Sequence, residues 1–285
     1  RSHRSLLRAA RAARPAASQQ GAVFASVPGG LGRLVSRLAA VLAEEGARLR
    51  TGVTVRELSR CDDGWQLILG ATRAPERLTA DAVVLALPAA PAGRLLSGLA
   101  GLAAAELAAI DYASVAIVTL AYPRAAARRP LRGSGFLVPA VEGRVVKAAT
   151  YSSQKWASIG TADPALVLVR CSVGRSGDTA DLQREDADLV SAVTAELALA
   201  TGLTGPPVDT RVTRWGGALP QYAVGHLDRV RRVRAALAGW PSLALAGAAY
   251  DGVGIPACVR SGRAAAARVL GGLPVVGSES RRVDS

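Results

Sequence analysis

With 285 residues, half of them hydrophobic, the chain is long enough for one large domain or two ordinary ones with a real core. Its 35 basic residues against 22 acidic ones give a net charge of +13, a field that would attract nucleic acid, anionic lipid or an anionic small molecule; aromatics at 4% and the lack of a recognisable module argue against nucleic acid. No apolar run reaches the ~20 residues of a membrane-spanning helix, and Cys61, Cys171 and Cys258, far apart with no CxxC, argue against a zinc site or a disulfide framework and for a reduced cytoplasmic setting.

Taken in order, Arg1 to Arg14 reads as a basic amphipathic helix ending before Pro15. The chain lacks methionine and opens at Arg1, so this helix is expected to be the remnant of a longer protein. Val23 to Val27 is expected as a strand, and Leu31 to Glu45 carries apolar residues at helical spacing until Gly46 stops it. Strand signals follow at Ala47 to Arg50, Val53 to Ser59 and Trp65 to Leu69, the last after the turn Cys61 to Gly64. Asp81 to Pro88 is a continuous apolar run, as expected for a strand buried on both faces.

Ala89 to Asp111 reads as helical and alanine-rich. Strands are expected at Val115 to Ala121, Gly135 to Val138, Val145 to Tyr151 and Ala165 to Ser172, with loops at Pro123 to Pro130 and Ser152 to Pro164. Asp181 to Thr201 reads as a helix with acids at its start, where the dipole favours them. Strands followed by a long helix suggest a separate α+β unit. Val208 to Arg214 then reads as a strand, and Gly225 to Ala238 as a basic helix with Leu227, Val230, Val233 and Leu237 facing a core.

The organising stretch is Leu243 to Leu270: an apolar run, a break at Gly247, a loop with Gly252 and Gly254, and a helix opening at Pro256. Such a strand, glycine loop and helix start leaves backbone N–H groups facing outward with partial positive charge, and glycines allow an electron-rich ligand to approach closely. On shape alone this is equally a plain turn. Elsewhere no Ser-His-Asp arrangement or paired carboxylates can be argued, and His226, at a helix start, suits a capping or surface role better than catalysis.

The wording of two blocks, WGGALPQYAVGH (Trp215 to His226) and AGAAYDGVGIPACVRSG (Ala246 to Gly262), resembles the C-terminal end of the porphyrinogen oxidases, with a weaker likeness from about Val23 to Leu270. These are FAD enzymes of the amine-oxidase-like flavoprotein type, which convert coproporphyrinogen or protoporphyrinogen to the porphyrin. The resemblance implies an α/β plus α+β fold: an FAD-binding domain from residues 21–97 and 213–285, an inserted mixed-sheet substrate domain at 98–212, and a helical remnant at 1–20. The first βαβ unit with its GxGxxG loop is absent from the sequence, so this chain alone is expected to bind FAD poorly and to be inactive.

As cofactor-binding residues the resemblance implies the backbone of Val53 against the adenine, Trp215 packed beside the flavin, and the N–H groups around Val253, Gly254 and Ile255 facing it; it implies no catalytic side chain and no metal. A core tryptophan at a strand end is the alternative for Trp215, and a core side chain at Val53 is compatible with its backbone contact. The implied reaction is repeated hydride transfer from a porphyrinogen to FAD in heme biosynthesis, with molecular oxygen as acceptor. The charge favours coproporphyrinogen III, the more anionic substrate. Protoporphyrinogen oxidase, another amine-oxidase-like flavoprotein and a non-catalytic basic binding module are the competing readings. The expected setting is the cytoplasm, with peripheral membrane contact and no nucleic-acid partner.

Overall fold

The computed structural model describes residues 5, 8, 25–62 and 64–273. The basic helix expected at Arg1 to Arg14 lies outside the described residues except at Ser5 and Arg8, and Val23 and Phe24 of the expected strand lie outside them too. Ala25 to Val27 is irregular. The chain forms two compact units, residues 1–49 and residues 50–285. In the first, helix α1 (Gly32–Glu44) places Leu34, Val35, Leu38 and Leu42 on one side, all of them exposed. Residues 47–50, expected as a strand, have no regular structure.

The second unit opens with an antiparallel meander of β1 (Val55–Cys61), β2 (Gly64–Ala71) and β3 (Ala74–Ala80). Of these, β2 is the apolar strand, and it sits in the middle with Trp65 fully buried. Trp65 Nε1 donates to Ser242 Oγ at 3.0 Å, and its ring meets Trp240 edge-on. The chain then enters β4 (Val83–Leu85), shorter than the apolar run predicts. Val83 and Leu85 are buried, but Val84 is 38% exposed, so the strand is not covered on both faces. The alanine-rich stretch is two helices, α2 (Ala89–Leu96) and α3 (Gly101–Ala108), interrupted around Gly98.

Next comes a sheet built by β5 (Tyr112–Pro123), β6 (Gly135–Leu137), β7 (Val146–Tyr151), helices α4 (Ser152–Lys155) and α5 (Ala157–Ala162), β8 (Leu166–Val173), helix α6 (Asp186–Thr201) and β9 (Asp209–Pro220). The strand order is β6-β7-β8-β5-β9, antiparallel throughout. Alternate residues of β8 are buried, as a strand covered on one face requires. The buried set, Val167, Val169, Cys171 and Val173, joins Val118 and Leu120 of β5 beneath Leu189, Val193 and Leu197 of α6. Two expectations fail here. Residues 152–164 hold two short helices rather than a loop, and β9 continues past Trp215 to Pro220.

The chain closes with α7 (His226–Ala236), β10 (Leu243–Leu245) and α8 (Ile255–Gly271). Val230, Val233 and Leu237 pack into a core shared with Leu96, Leu107, Leu243 and Tyr250. Leu227, expected in that core, is 67% exposed. Among the described residues β10 pairs only with β4, in parallel, with Leu243 opposite Val83 and Leu245 opposite Leu85. Ala244, Ala246, Ala265 and Val269 form a small cluster that lets α8 lie close on this pair. No described helix is long and apolar enough to cross a membrane.

Candidate functional site

The carboxyl ends of parallel strands are where α/β sheets bind ligands, and here the end of β10 leads straight into the glycine loop. Gly247 turns the chain away from the strand, its N–H held by Ser261 Oγ at 3.1 Å. Tyr250 then anchors the loop in the core with 2% exposure. Gly252 follows at φ +127°, a conformation that L side chains rarely adopt, and a Cβ there would stand 2.9 Å from that of Ala257. At Gly254, the N-cap of α8, a Cβ would meet nothing closer than Pro256 Cδ at 3.8 Å. The missing side chain keeps space clear over the loop.

Helix geometry leaves the first N–H groups of α8 without internal partners. The Gly254 carbonyl accepts from the Cys258 N–H at 3.0 Å, which starts the helical ladder. The amides of Val253, Gly254, Ile255 and Ala257 have no protein acceptor among the described residues, and no side chain caps the helix. Val253, Gly254 and Ile255 are exposed. The turn is thus open, and it offers a row of donors with the positive end of a 17-residue helix behind them. Such a row suits the electron-rich edge of a flat ligand.

A strut fixes this loop from the other side. The Tyr222 hydroxyl donates to the Ala248 carbonyl at 2.7 Å and accepts from the Gly252 N–H at 2.8 Å. Burial pushes the hydroxyl above its ordinary pKa, against the opposing pull of the Gly252 hydrogen bond, so it stays protonated and keeps donating. The Tyr222 ring stacks on His226 with centroids 3.9 Å apart. His226 is buried, and its Nε2 donates to the Ala249 carbonyl at 2.9 Å. Neither the capping nor the surface role expected of His226 applies: the residue is part of the strut. Its position four residues after Tyr222 was the one sequence signal for the pair, since both bond to backbone more than 20 residues away.

Of the five residues expected at a cofactor, three, Val253, Gly254 and Ile255, form the open donor row itself. Trp215 lies on β9 opposite Val115, 55% exposed, on the strand that leads to Tyr222. Val53 is half-buried in the turn before β1. Its backbone N–H and C=O have no protein partner among the described residues, and it shares no hydrogen bond with the glycine loop. A cleft of about 490 Å³ lies not at the donor row but on its flank, between α7, β10 and α8. Arg234 and Asp251 pair across its rim at 2.6 Å.

Other chemistries find no support. Burial, and more weakly Glu196, pushes the Cys171 thiol to about 12, so it stays protonated. Among the described residues no three His, Cys, Asp or Glu side chains are placed to hold a metal.

Residues 3–270 match the family described as flavin containing amine oxidoreductase. The coproporphyrinogen III oxidase of Mycobacterium tuberculosis (strain ATCC 25618 / H37Rv) is 39% identical over 245 residues, which are 86% of this chain and 50% of that protein. That of Bacillus subtilis (strain 168) is 32% identical, over 94% of this chain and 57% of its own. A crystal structure from Exiguobacterium sp. 255-15, provisionally named a protoporphyrinogen oxidase, superposes with a TM-score of 0.72 at 34% identity, covering 84% of this chain and 50% of that one. The chain therefore spans about half the length of the relatives it matches. Its α/β plus α+β architecture is that of the amine-oxidase-like flavoproteins, whose cofactor is FAD. The strand, the glycine loop with its open amides and the match along nearly the whole chain lead to one conclusion: the chain belongs to the flavin containing amine oxidoreductase family.

Proposed function

We propose that this chain serves the FAD-dependent oxidation of a porphyrinogen, coproporphyrinogen III in first place, to the porphyrin in heme biosynthesis. The observation that carries the reading is the donor row at Val253, Gly254 and Ile255, three exposed residues whose amides have no protein acceptor among the described residues, with no side chain at Gly254. That row fits a flavin ring: it presents donors and a helix dipole to an electron-rich edge, with no side chain at Gly254. Val53 fits a backbone contact to the adenine because its own N–H and C=O are unpaired. Trp215 fits a role beside the flavin, being a large ring left half in solvent at a strand edge.

Bound there, FAD supplies the hydride acceptor for the porphyrinogen carbon. This chain contributes position and field: the strut holds the loop, the amides orient the ring edge, and the helix end favours negative charge at it. No side chain at the loop is assigned a proton transfer. We assign FAD binding to residues 21–97 and 213–285 and substrate binding to 98–212; two separate buried clusters support a division of this kind, although Ala100, Ala103, Leu107 and Ile110 pack with the first cluster and β9 stays in the five-stranded sheet as far as Pro220. Molecular oxygen is the proposed final acceptor. The proposed setting is the cytoplasm, where a net charge of +13 favours contact with anionic membrane surfaces.

The names of two relatives point to coproporphyrinogen III, and the basic charge points the same way. Incubating the full-length FAD-loaded enzyme with copro- and protoporphyrinogen and following porphyrin fluorescence tests the assignment. Faster oxidation of the copro substrate supports it, faster oxidation of the proto substrate shifts it to the other porphyrinogen, and no porphyrin from either overturns it. The 285-residue chain by itself should hold FAD weakly, and stoichiometric flavin absorbance after purification would contradict that.

A further inference from the structure

The five-stranded sheet has two unlike faces. One is sealed by α6. On the other, the register aligns Thr150 of β7, Arg170 of β8, Thr119 of β5 and Arg211 of β9 as direct cross-strand neighbours. Directly opposed residues of antiparallel strands point to the same face. Arg170 and Arg211 therefore stand in one row, about 10 Å apart across two strand spacings.

Both arginines are exposed, and beyond the backbone ladder neither side chain has a hydrogen-bond or ion-pair partner among the described residues. This sets them apart from their neighbours. Arg214, on the opposite face of β9, is tied to Asp186 and to two carbonyls. Arg229 and Arg232 share Glu106. Asp209 stands two residues before Arg211 on the same face of β9, but its Oδ1 accepts the Thr210 N–H at 2.8 Å and it makes no ion pair with either arginine among the described residues. The row thus carries two guanidinium groups that are not ion-paired among the described residues.

It is also a concavity rather than a flat surface. Helices α4 and α5 rise beside Arg170 and enclose about 300 Å³, with Lys155 and Trp156 forming the wall opposite Thr150 and Ser172. Lys155 adds a second cation here, its ammonium 5.5 Å from the Trp156 ring centre. Along β5 and β9, the Thr119–Arg211 pair stands four residues from the Val115–Trp215 pair. At the strand rise this is about 13 Å, the reach of a large flat molecule.

From these observations we propose that Arg170 and Arg211 are positioning residues that hold carboxylates of the substrate, with the Thr119 and Thr150 hydroxyls beside them. The apolar body of the substrate then lies along the sheet toward Trp215. This rests on the porphyrinogen reading, and it supplies the anion-binding groups that reading requires. Guanidinium groups recognise carboxylates through paired N–H donors, and at Arg170 partial enclosure by α4 and α5 reduces screening by water.

Fluorescence titration of the 285-residue chain with coproporphyrin III, and in parallel with its tetramethyl ester, provides the test. R170A and R211A should each weaken binding of the acid by about tenfold, with the double variant weaker still and ester binding unchanged. R170K should recover part of the loss, and raising the salt concentration should weaken the parent more than either variant. Both side chains are exposed, so thermal midpoints should match the parent's. Unchanged affinity for the acid in both variants overturns the proposal. So does a parent that binds ester and acid equally, although porphyrin recognition would then stand. A parent that binds benzene-1,2,4,5-tetracarboxylate through these arginines but no porphyrin supports the carboxylate site and overturns the porphyrinogen reading instead.

Discussion

The five-stranded antiparallel sheet and the parallel pair β4 and β10 are finished in opposite ways. The first carries one closed face under α6 and one polar face, a stable arrangement for antiparallel strands. Among the described residues the second has three residues per strand and one partner each, with a cleft of about 490 Å³ between β10, α7 and α8. Parallel strands in known sheets are covered and flanked on both sides. The contrast teaches where order comes from in this chain. The sheet that faces the proposed substrate is held by its own core, whereas the pair that presents the glycine loop relies on helices α7 and α8 and on the Tyr222 strut.

The sharpest way to break this contrast is to remove one leucine from each side. Leu197 is fully buried under the five-stranded sheet, and Leu197→Ala should cost about 2–5 kcal/mol of stability. Leu245 is only partly buried on β10, so Leu245→Ala should cost about half as much. Urea unfolding of both variants decides it. Equal losses would mean that the parallel pair is as well packed as the sheet.

Gly252→Val comes next in size. The backbone conformation at φ +127° should cost about 1–3 kcal/mol with any L side chain, and the contact with Ala257 adds to it. The same strain moves the amides of Val253 and Gly254, so the Kd for FAD should rise about tenfold for each 1.4 kcal/mol of interaction lost. Flavin fluorescence quenching measures that shift. A destabilised variant with unchanged FAD affinity would remove the loop from the site. Tyr222→Phe is milder: two hydrogen bonds at the exposed side of the loop are lost while the stack on His226 remains, for about 0.5–1.5 kcal/mol. Its effect should concentrate in FAD affinity and leave the thermal midpoint of the five-stranded sheet nearly unmoved.

Much of this contrast could be read in the chain itself, and the unread parts share a cause. The helical period of α1, the alternation in β8 and the glycine loop before α8 are local patterns, and all three were legible. β3 was not, because Ala74 to Ala80 is a polar edge strand with no buried residue to set a period. Nor were α4 and α5, of four and six residues, too short for any period to repeat. At the site, the open amides follow from glycines that the sequence shows directly. The strut does not, since Tyr222 and His226 bond to carbonyls that only the fold brings near. The arginine row was equally hidden: Arg170 and Arg211 are 41 positions apart and meet only through Thr119 of β5.

The smallest predicted effect belongs to a contact that ties α7 to α3. Glu106 accepts from Arg232 through both carboxylate oxygens and from Arg229 Nε at 3.2 Å, while Arg229 Nη1 also donates to the Ala109 carbonyl at 2.9 Å. The Arg232 hydrogen bond, chiefly, holds the Glu106 carboxyl below its ordinary pKa, against the upward push of desolvation. A carboxyl depressed in the folded state binds its proton less readily there than in the unfolded chain. Its contribution to stability is therefore complete above the unfolded value of about 4.3 and fades as pH falls through the lower folded value. Glu106→Gln should be less stable than the parent by a constant amount from pH 6 to 8, and the gap should close toward pH 3. Arg232 is about half exposed, so added salt should narrow the gap at neutral pH as well. Thermal melts at three pH values and two salt concentrations are enough to see this. A gap that persists unchanged at pH 3 would show that Glu106 acts through its shape in the α3 and α7 contact and not through its charge.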